Sequence, residues 1–271
     1  MADRSTAIQN LRADLCQFQH ALRLKDRVKN AVSTGISALD NILPDQGLLR
    51  STLSEWIAAE PGSGTISLAM RAAGQAQHEG PLIIVDRPRR FYAPAFPAVG
   101  VCLRNTILVR PKSRGDELWA VEQSLRCPGV GAVMCQIDRL RTQEFRRLQL
   151  AAESGTAVGL LIRPASARRQ SGWADVRLLI SAGWPASRFG VTLGNASAGR
   201  STTRRASNAE VTEANAGRPR VFHRRLEVRC VYAKGAMADQ TVELEVCDET
   251  NTLRLAAKVS DSTAALQAAG A

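Results

Sequence analysis

The sequence has no hydrophobic run long enough to cross a membrane and no paired-cysteine motif. Its longest apolar runs, such as residues 82–85, are far shorter than the ~20 residues that a membrane span requires, and residues 1–10 lack the apolar core of a secretory signal. The six cysteines are scattered without CxxC spacing, which disfavours both a disulfide framework and a zinc site. We therefore expect a cytoplasmic protein with free thiols, no membrane association and no metal.

Acidic residues and lysine are scarce relative to arginine. The chain of 271 residues has 36 basic and 25 acidic side chains, a net charge of +11, and only five of the basic residues are lysine. Arginine keeps its charge and binds phosphate groups bidentately, which suits an anionic partner, although a GC-rich genome would also raise the arginine content. An apolar fraction of 45% excludes a wholly disordered basic protein.

The hydrophobic pattern divides the chain into five segments. Residues 1–31 have apolar side chains at helical three–four spacing, which predicts an N-terminal helix that either docks on the body or binds a partner. Residues 32–182 form the predicted core. Residues 183–220 are poor in apolar periodicity, and we expect a disordered arginine-rich insertion. Residues 221–260 predict C-terminal strands that complete the sheet, and residues 261–271 a flexible tail.

Strand and helix signals alternate through the core. We expect strands at 52–58, 82–86, 105–110, 131–136, 157–162 and 176–181, and helices at 65–78, 116–126 and 142–153. Repeated strand–turn–helix units predict an α/β fold with a mainly parallel sheet flanked by helices on both faces. The later segments at 226–232, 241–246 and 253–259 alternate apolar and polar residues, as antiparallel strands do.

A glycine-rich turn between the first core strand and its helix has the geometry of a phosphate-binding loop. In the pattern G-x-x-x-x-G-K-[ST], Ala59, Gly64, Thr65 and Ile66 take the four fixed positions, so only the second glycine is retained. The lysine that reaches the β/γ-phosphates is missing, and Ile66 has no hydroxyl for Mg²⁺. We regard the loop as vestigial, with weak ATP binding at most, through Pro61, Gly62, Ser63, Gly64, Thr65 and Ser67.

The surrounding sequence resembles RecA-like proteins. Ser33-Thr34-Gly35, Leu39-Asp40, Gly47-Leu48 and a strand containing Glu55 precede the loop in the RecA-like order. Residues 119–126 (WAVEQSLR), 146–153 (RRLQLAAE) and 160–164 (LLIRP) resemble the ImuA family. This resemblance covers about residues 32–181. It implies a RecA-like core and an accessory role in mutagenic translesion DNA synthesis, beside an ImuB-like protein and an error-prone DnaE-type polymerase, with contact to RecA or DNA.

The resemblance also shows which catalytic groups are absent. The water-activating acid of RecA-like ATPases follows the second strand, where this chain has Pro88, and the Mg²⁺-supporting acid of the later strand is replaced by Gln136. Asp138, two residues on, is the fallback metal-supporting acid. Because phosphoryl transfer depends on positioning and charge stabilisation, we expect no hydrolysis, no catalytic residue and no bound metal.

Paired arginines are the predicted contacts for DNA or a protein partner. Two clusters follow strand ends, at the sheet edge where α/β proteins bind ligands, and two lie in or beside the insertion: Arg87, Arg89 and Arg90; Arg139 and Arg141; Arg204 and Arg205; Arg224 and Arg225. Further pairs occur at Arg146-Arg147 and Arg168-Arg169. A solvated basic surface explains them equally well. We expect single-stranded DNA, bound through phosphates in a salt-dependent manner.

The four tryptophans and two alternative functions are considered last. Trp56, Trp119 and Trp173 are expected to pack in the core, while Trp184, beside the basic insertion, is a weaker candidate for base stacking.

Two alternative functions remain open. An active ATPase acting on DNA would use Ser67 and Asp138, with an arginine in place of the lysine. An interaction module that inhibits RecA or cell division would dock through the N-terminal helix.

Overall fold

A computed structural model describes residues 30–183, 223–235, 239–247 and 253–255. The predicted N-terminal helix, nearly all of the predicted insertion and the predicted tail lie outside these ranges. The strands are β1 (Ala31–Val32), β2 (Leu48–Leu49), β3 (Thr52–Ala58), β4 (Leu82–Val85), β5 (Thr106–Val109), β6 (Ala132–Gln136), β7 (Val158–Arg163), β8 (Val176–Gly183), β9 (His223–Ala233), β10 (Gln240–Cys247) and β11 (Leu253–Leu255). The α-helices are α1 (Ser37–Asp40), α2 (Thr65–Ala76), α3 (Arg114–Arg126) and α4 (Thr142–Ser154).

Within the described residues, nine strands form one sheet in the order β11-β10-β9-β8-β3-β7-β6-β4-β5. Strands β3 to β8 are mutually parallel, whereas β9, β10 and β11 are antiparallel to their neighbours. Strands β1 and β2 make a separate antiparallel pair. The predicted α/β class, with a mainly parallel sheet and antiparallel C-terminal strands, is confirmed.

The helices cover both faces of the sheet. Helices α1 and α2 pack on the face that contains Trp56, Met134 and Leu160, while α3 and α4 pack on the face that contains Leu53 and Leu161. Consecutive residues of each strand therefore contribute to different cores, as the alternation of side chains along a strand requires. Among the described residues, no helix is both long and apolar enough to span a bilayer.

A buried turn precedes β2 and β3. Asp40, at the end of α1, accepts hydrogen bonds from the Ser33 hydroxyl at 2.6 Å, the Thr34 hydroxyl at 2.7 Å and the Thr34 N–H at 2.8 Å. Gly35 has a φ of +74°, a conformation that glycine adopts without steric cost. The Ser-Thr-Gly and Leu-Asp elements thus close one turn, which gives them a structural role.

Candidate functional site

The glycine-rich turn forms a loop between β3 and α2. Gly62 and Gly64 have φ values of +81° and +77°, so both positions favour glycine. The start of the loop is tied to β8, because Ala59 donates to the Ile180 carbonyl at 2.8 Å and the Glu60 carboxylate accepts from the Ala182 N–H at 2.5 Å. The sequence prediction of a strand–loop–helix unit at this point therefore agrees with the structure.

Two buried hydroxyls occupy the centre of the loop. Ser63 and Thr65 are 1% and 3% exposed, and their hydroxyl oxygens lie 2.8 Å apart. Thr65 stands where a phosphate loop carries its lysine, and its hydroxyl is hydrogen-bonded inside the loop. Ile66 and Ser67 are exposed at the start of α2. The loop therefore supplies backbone amides and hydroxyls, but no cation, to an anion.

The C-terminal strands lie against this loop. A Cβ atom on Gly64 would come within 2.9 Å of Leu226 Cδ1 on β9. A cavity of about 30 Å³ beside the loop is lined by Ser67, Arg71, Val99, Arg224 and Leu226, among others. This space suits a single water molecule, whereas ligand pockets typically measure about 300 Å³ or more. This cavity is therefore too small to enclose a nucleoside triphosphate.

The hydroxyl pair gives a stability prediction. Ser63→Ala leaves the buried Thr65 hydroxyl without its partner and is expected to cost about 1–3 kcal/mol of unfolding free energy, as is Thr65→Val. In the double variant both polar groups are gone, so the loss should be smaller than the sum of the two single losses. Urea unfolding measures all three variants, with the exposed Ser67→Ala as control, expected within about 0.5 kcal/mol of the parent chain. Additive losses would show that the two hydroxyls act independently.

The carboxyl end of β4 is built around a buried carboxylate. Asp86 is 0% exposed and accepts hydrogen bonds from the backbone N–H groups of Arg90 and Phe91 at 2.8 and 3.2 Å. It therefore closes the turn that contains Pro88. Arg87 donates to the buried Glu117 at 2.8 Å, and this hydrogen bond raises the pKa of Arg87 above its ordinary value.

The end of β6 carries the residues that replace the metal-supporting acid. The Gln136 Oε1 atom is buried and has no hydrogen-bond partner among the described residues. Asp138 lies beyond the strand with its side chain 61% exposed, 3.7 Å from a guanidinium nitrogen of Arg90. Among the described residues, no group of three or more His, Cys, Asp or Glu side chains is arranged to hold a metal ion.

The predicted arginine contacts fall into two groups. Arg87, Arg89, Arg90, Arg139 and Arg141 follow β4 and β6, which are adjacent in the sheet, and all five are exposed. Arg224 and Arg225 lie on β9, four places from β6, where Arg225 pairs with Glu245. The clusters at residues 87–90 and 139–141 thus follow neighbouring strands, Arg224 and Arg225 lie apart from them, and Arg204 and Arg205 lie outside the described residues. Their role as DNA or partner contacts stays a prediction.

A buried ion network was missed by the sequence analysis. Glu55 on β3 pairs with Arg163 on β7 at 3.0 Å and with Arg177 on β8 at 2.6 Å. Glu55 and Arg163 are 1% and 2% exposed, and burial lowers the pKa of Arg163. The arginines also bind the segment that follows β7: Arg163 donates to Gln170 Oε1, and Arg177 donates to the Ala167 carbonyl, both at 2.8 Å.

Two of the three tryptophans expected in the core are on the surface. Trp56 is fully buried and donates to the Ser54 hydroxyl, as expected. Trp119 and Trp173 are 62% and 44% exposed, so the packing expectation was wrong for both. Trp119 lies on the solvent side of α3, and Trp173 lies in the connection before β8. Trp184 lies outside the described residues.

Comparison with known proteins supports the fold and adds one partial relative. No family model matches the chain. A solved structure of the RadB recombinase aligns with a TM-score of 0.55 at 11% identity, covering 83% of this chain and 100% of the RadB chain. The cell division inhibitor SulA of Edwardsiella piscicida is 33% identical over 67 residues, which is 25% of this chain and 40% of the SulA chain.

The sheet order, the glycine-rich loop between β3 and α2 and the RadB alignment together define a RecA-like recombinase fold. The chain spans well under half the length of the curated relative that it matches. In the loop of this chain, Thr65 occupies the position of the phosphate-loop lysine and its hydroxyl pairs with that of Ser63.

Proposed function

We propose that the chain is a non-hydrolysing, RecA-like accessory protein of DNA repair. It supports mutagenic translesion synthesis of the SOS type, together with an ImuB-like protein, a DnaE-type error-prone polymerase and RecA, and it contacts single-stranded DNA. The single observation that carries the non-hydrolysing role is the Ser63–Thr65 hydroxyl pair, which is buried and internally hydrogen-bonded in place of the phosphate-loop lysine.

Three further features support this proposal. The fold is that of RecA-like recombinases. Pro88 and Gln136 stand where the water-activating and Mg²⁺-supporting acids are expected, and Asp86, beside Pro88, is engaged by backbone N–H groups. The segments that resemble the ImuA family fall on α3, on α4 and at the end of β7.

Affinity capture tests the partnership. The full-length chain, tagged and expressed at its native level, is recovered from cells before and after DNA damage, and co-purifying proteins are identified by mass spectrometry. We expect an ImuB-like protein, a DnaE-type polymerase and RecA in the damaged sample. Their absence from the damaged sample, with the tagged chain recovered in equal amount, would contradict the proposed partnership.

The SulA match favours a second candidate, an interaction module that inhibits cell division. This candidate predicts that expression of the chain in undamaged cells arrests division and yields filaments, whereas the repair proposal predicts normal division at the same expression level. Cell length measured by microscopy separates the two, with the exposed Ser67→Ala variant as the matched expression control, since this substitution is expected to leave stability unchanged.

A further inference from the structure

An arginine of α4 stacks on an exposed tryptophan in the connection that precedes β8. The Arg146 guanidinium carbon lies 5.1 Å from the centroid of the Trp173 ring, within cation–π range. Arg146 is exposed and donates to Gln149 Oε1 at 2.6 Å, so its hydrogen-bond partner is neutral. Trp173 is 44% exposed. A large aromatic ring with a charged neighbour is thus presented to solvent.

The segment that carries Trp173 is held in place by contacts with α4 and β3. Gly172 packs so closely that a Cβ atom there would lie 2.8 Å from Phe145 of α4 and 3.1 Å from Glu55 Oε2. The same segment is tied at Gln170 and Ala167 by the arginines of the buried ion network. Because the ring is already positioned, a ligand that stacks on it loses little affinity to ordering of the protein.

The surroundings of the pair are strongly cationic. Two segments meet at the first half of α4, and their exposed arginines are Arg139, Arg141, Arg146, Arg168 and Arg169. In the part of the chain that the structure describes, Arg168 and Arg169 form no ion pair. The nearby carboxylate Glu144 is already engaged: burial opposes its ionisation, but hydrogen bonds from the Arg141 N–H and the Arg114 guanidinium outweigh burial and lower its pKa. The positive charge is therefore largely uncompensated.

We propose that this surface, Trp173 with Arg146, Arg168 and Arg169, is a stacking site for single-stranded nucleic acid. The inference deepens the proposed function and rests on it for the biological substrate. A partly exposed aromatic ring with arginines around it matches an unpaired base and its phosphates. Duplex DNA keeps the faces of its bases stacked inside, so it offers phosphates and base edges but no face for the ring to stack on. An acidic peptide would use the arginines without needing the ring.

Fluorescence anisotropy with a labelled oligothymidylate of about 15 nucleotides tests the stacking role on the full-length protein without nucleotide. Trp173→Ala is expected to weaken binding by about 5- to 150-fold, the range for loss of one base–aromatic stack. Trp173→Phe should retain most of the affinity, because phenylalanine also stacks. Trp119→Ala, which removes a still more exposed tryptophan from α3, is the matched control and should change affinity by less than about twofold.

The charge contribution has its own test. The double variant Arg168→Gln/Arg169→Gln should reduce the slope of log affinity against log salt by about 1.4, since each phosphate contact on a single strand contributes about 0.7. Arg104→Gln/Lys112→Gln removes two exposed cations from the region around β5 and should leave the slope unchanged.

Four outcomes would contradict the proposed site. The oligonucleotide does not bind at low salt, or Trp119→Ala and Trp173→Ala reduce its affinity equally. Alternatively, duplex DNA binds as tightly as the single strand, or a polyglutamate peptide binds equally well and loses as much affinity in Trp173→Ala. Thermal unfolding of each variant verifies that it is folded. If the partner capture fails but oligonucleotide binding still depends on Trp173, the repair assignment is wrong and the nucleic-acid site stands. If the capture succeeds but binding does not depend on Trp173, the repair assignment stands and the proposed nucleic-acid site is wrong.

Discussion

Replacing Glu55 by alanine is expected to lower the free energy of unfolding by about 3–5 kcal/mol, the cost of leaving a buried charge without its partner. Glu55 is the common acceptor for Arg163 and Arg177. Arg163 is 2% exposed, so it cannot turn to water when the carboxylate is lost. Chemical denaturation of the purified variant, monitored by circular dichroism, measures the loss.

A surface ion pair supplies the matched control for Glu55. Glu245 pairs with Arg225 at 2.9 Å, and both side chains are about one-third exposed, so Glu245→Ala should cost less than about 1 kcal/mol. A loss at Glu55 no larger than the loss at Glu245 would show that the buried network does not stabilise the fold. The loss should also extend to the segment 165–173, which the two arginines bind, and faster amide exchange there would report it.

Asp40→Ala is expected to cost about 3 kcal/mol, because a buried carboxylate that accepts hydrogen bonds from two hydroxyls and one N–H is removed. The three donors, on Ser33 and Thr34, would be left without their acceptor, and the turn before β2 would open. Asp40→Asn keeps an acceptor oxygen for Thr34 and should cost markedly less. Thermal or urea unfolding measures both variants.

Asp116, an exposed carboxylate that also accepts a hydrogen bond from a serine hydroxyl, is the control for Asp40. Asp116 accepts from the Ser113 hydroxyl at 2.8 Å at the start of α3 and is exposed, so Asp116→Ala should cost about 1 kcal/mol, as loss of a helix cap does. Equal losses at Asp40 and Asp116 would contradict the view that burial makes the Ser-Thr-Gly turn a structural element.

Local sequence patterns were sufficient for the fold class and for the loop. Apolar runs and helical spacing located β3, β4, β6 and the three long helices, because each of these elements buries a continuous face of its own residues. Gly62 and Gly64 marked the loop because a positive φ favours glycine. The resemblance to RecA-like proteins then showed that the loop lacks the lysine and the Mg²⁺-binding hydroxyl at their expected positions.

What the sequence could not predict depends on contacts between distant segments. Glu55 and Arg163 are separated by 108 residues, and no pattern within β3 or β7 reveals their pairing. Leu226 reaches the loop through the position of β9 beside β8, which follows a long segment without apolar periodicity. Trp119 and Trp173 were misplaced because hydrophobicity alone does not show which side of an element faces solvent.

ATP turnover by the purified full-length chain, with and without single-stranded DNA, tests the central claim most directly. We expect no turnover above the enzyme-free background in either condition, and no difference from the Asp138→Ala variant, because the loop has a hydroxyl pair in place of its lysine and Asp138 is an exposed surface residue. DNA-stimulated hydrolysis that Asp138→Ala abolishes would contradict the account and establish the chain as an active ATPase.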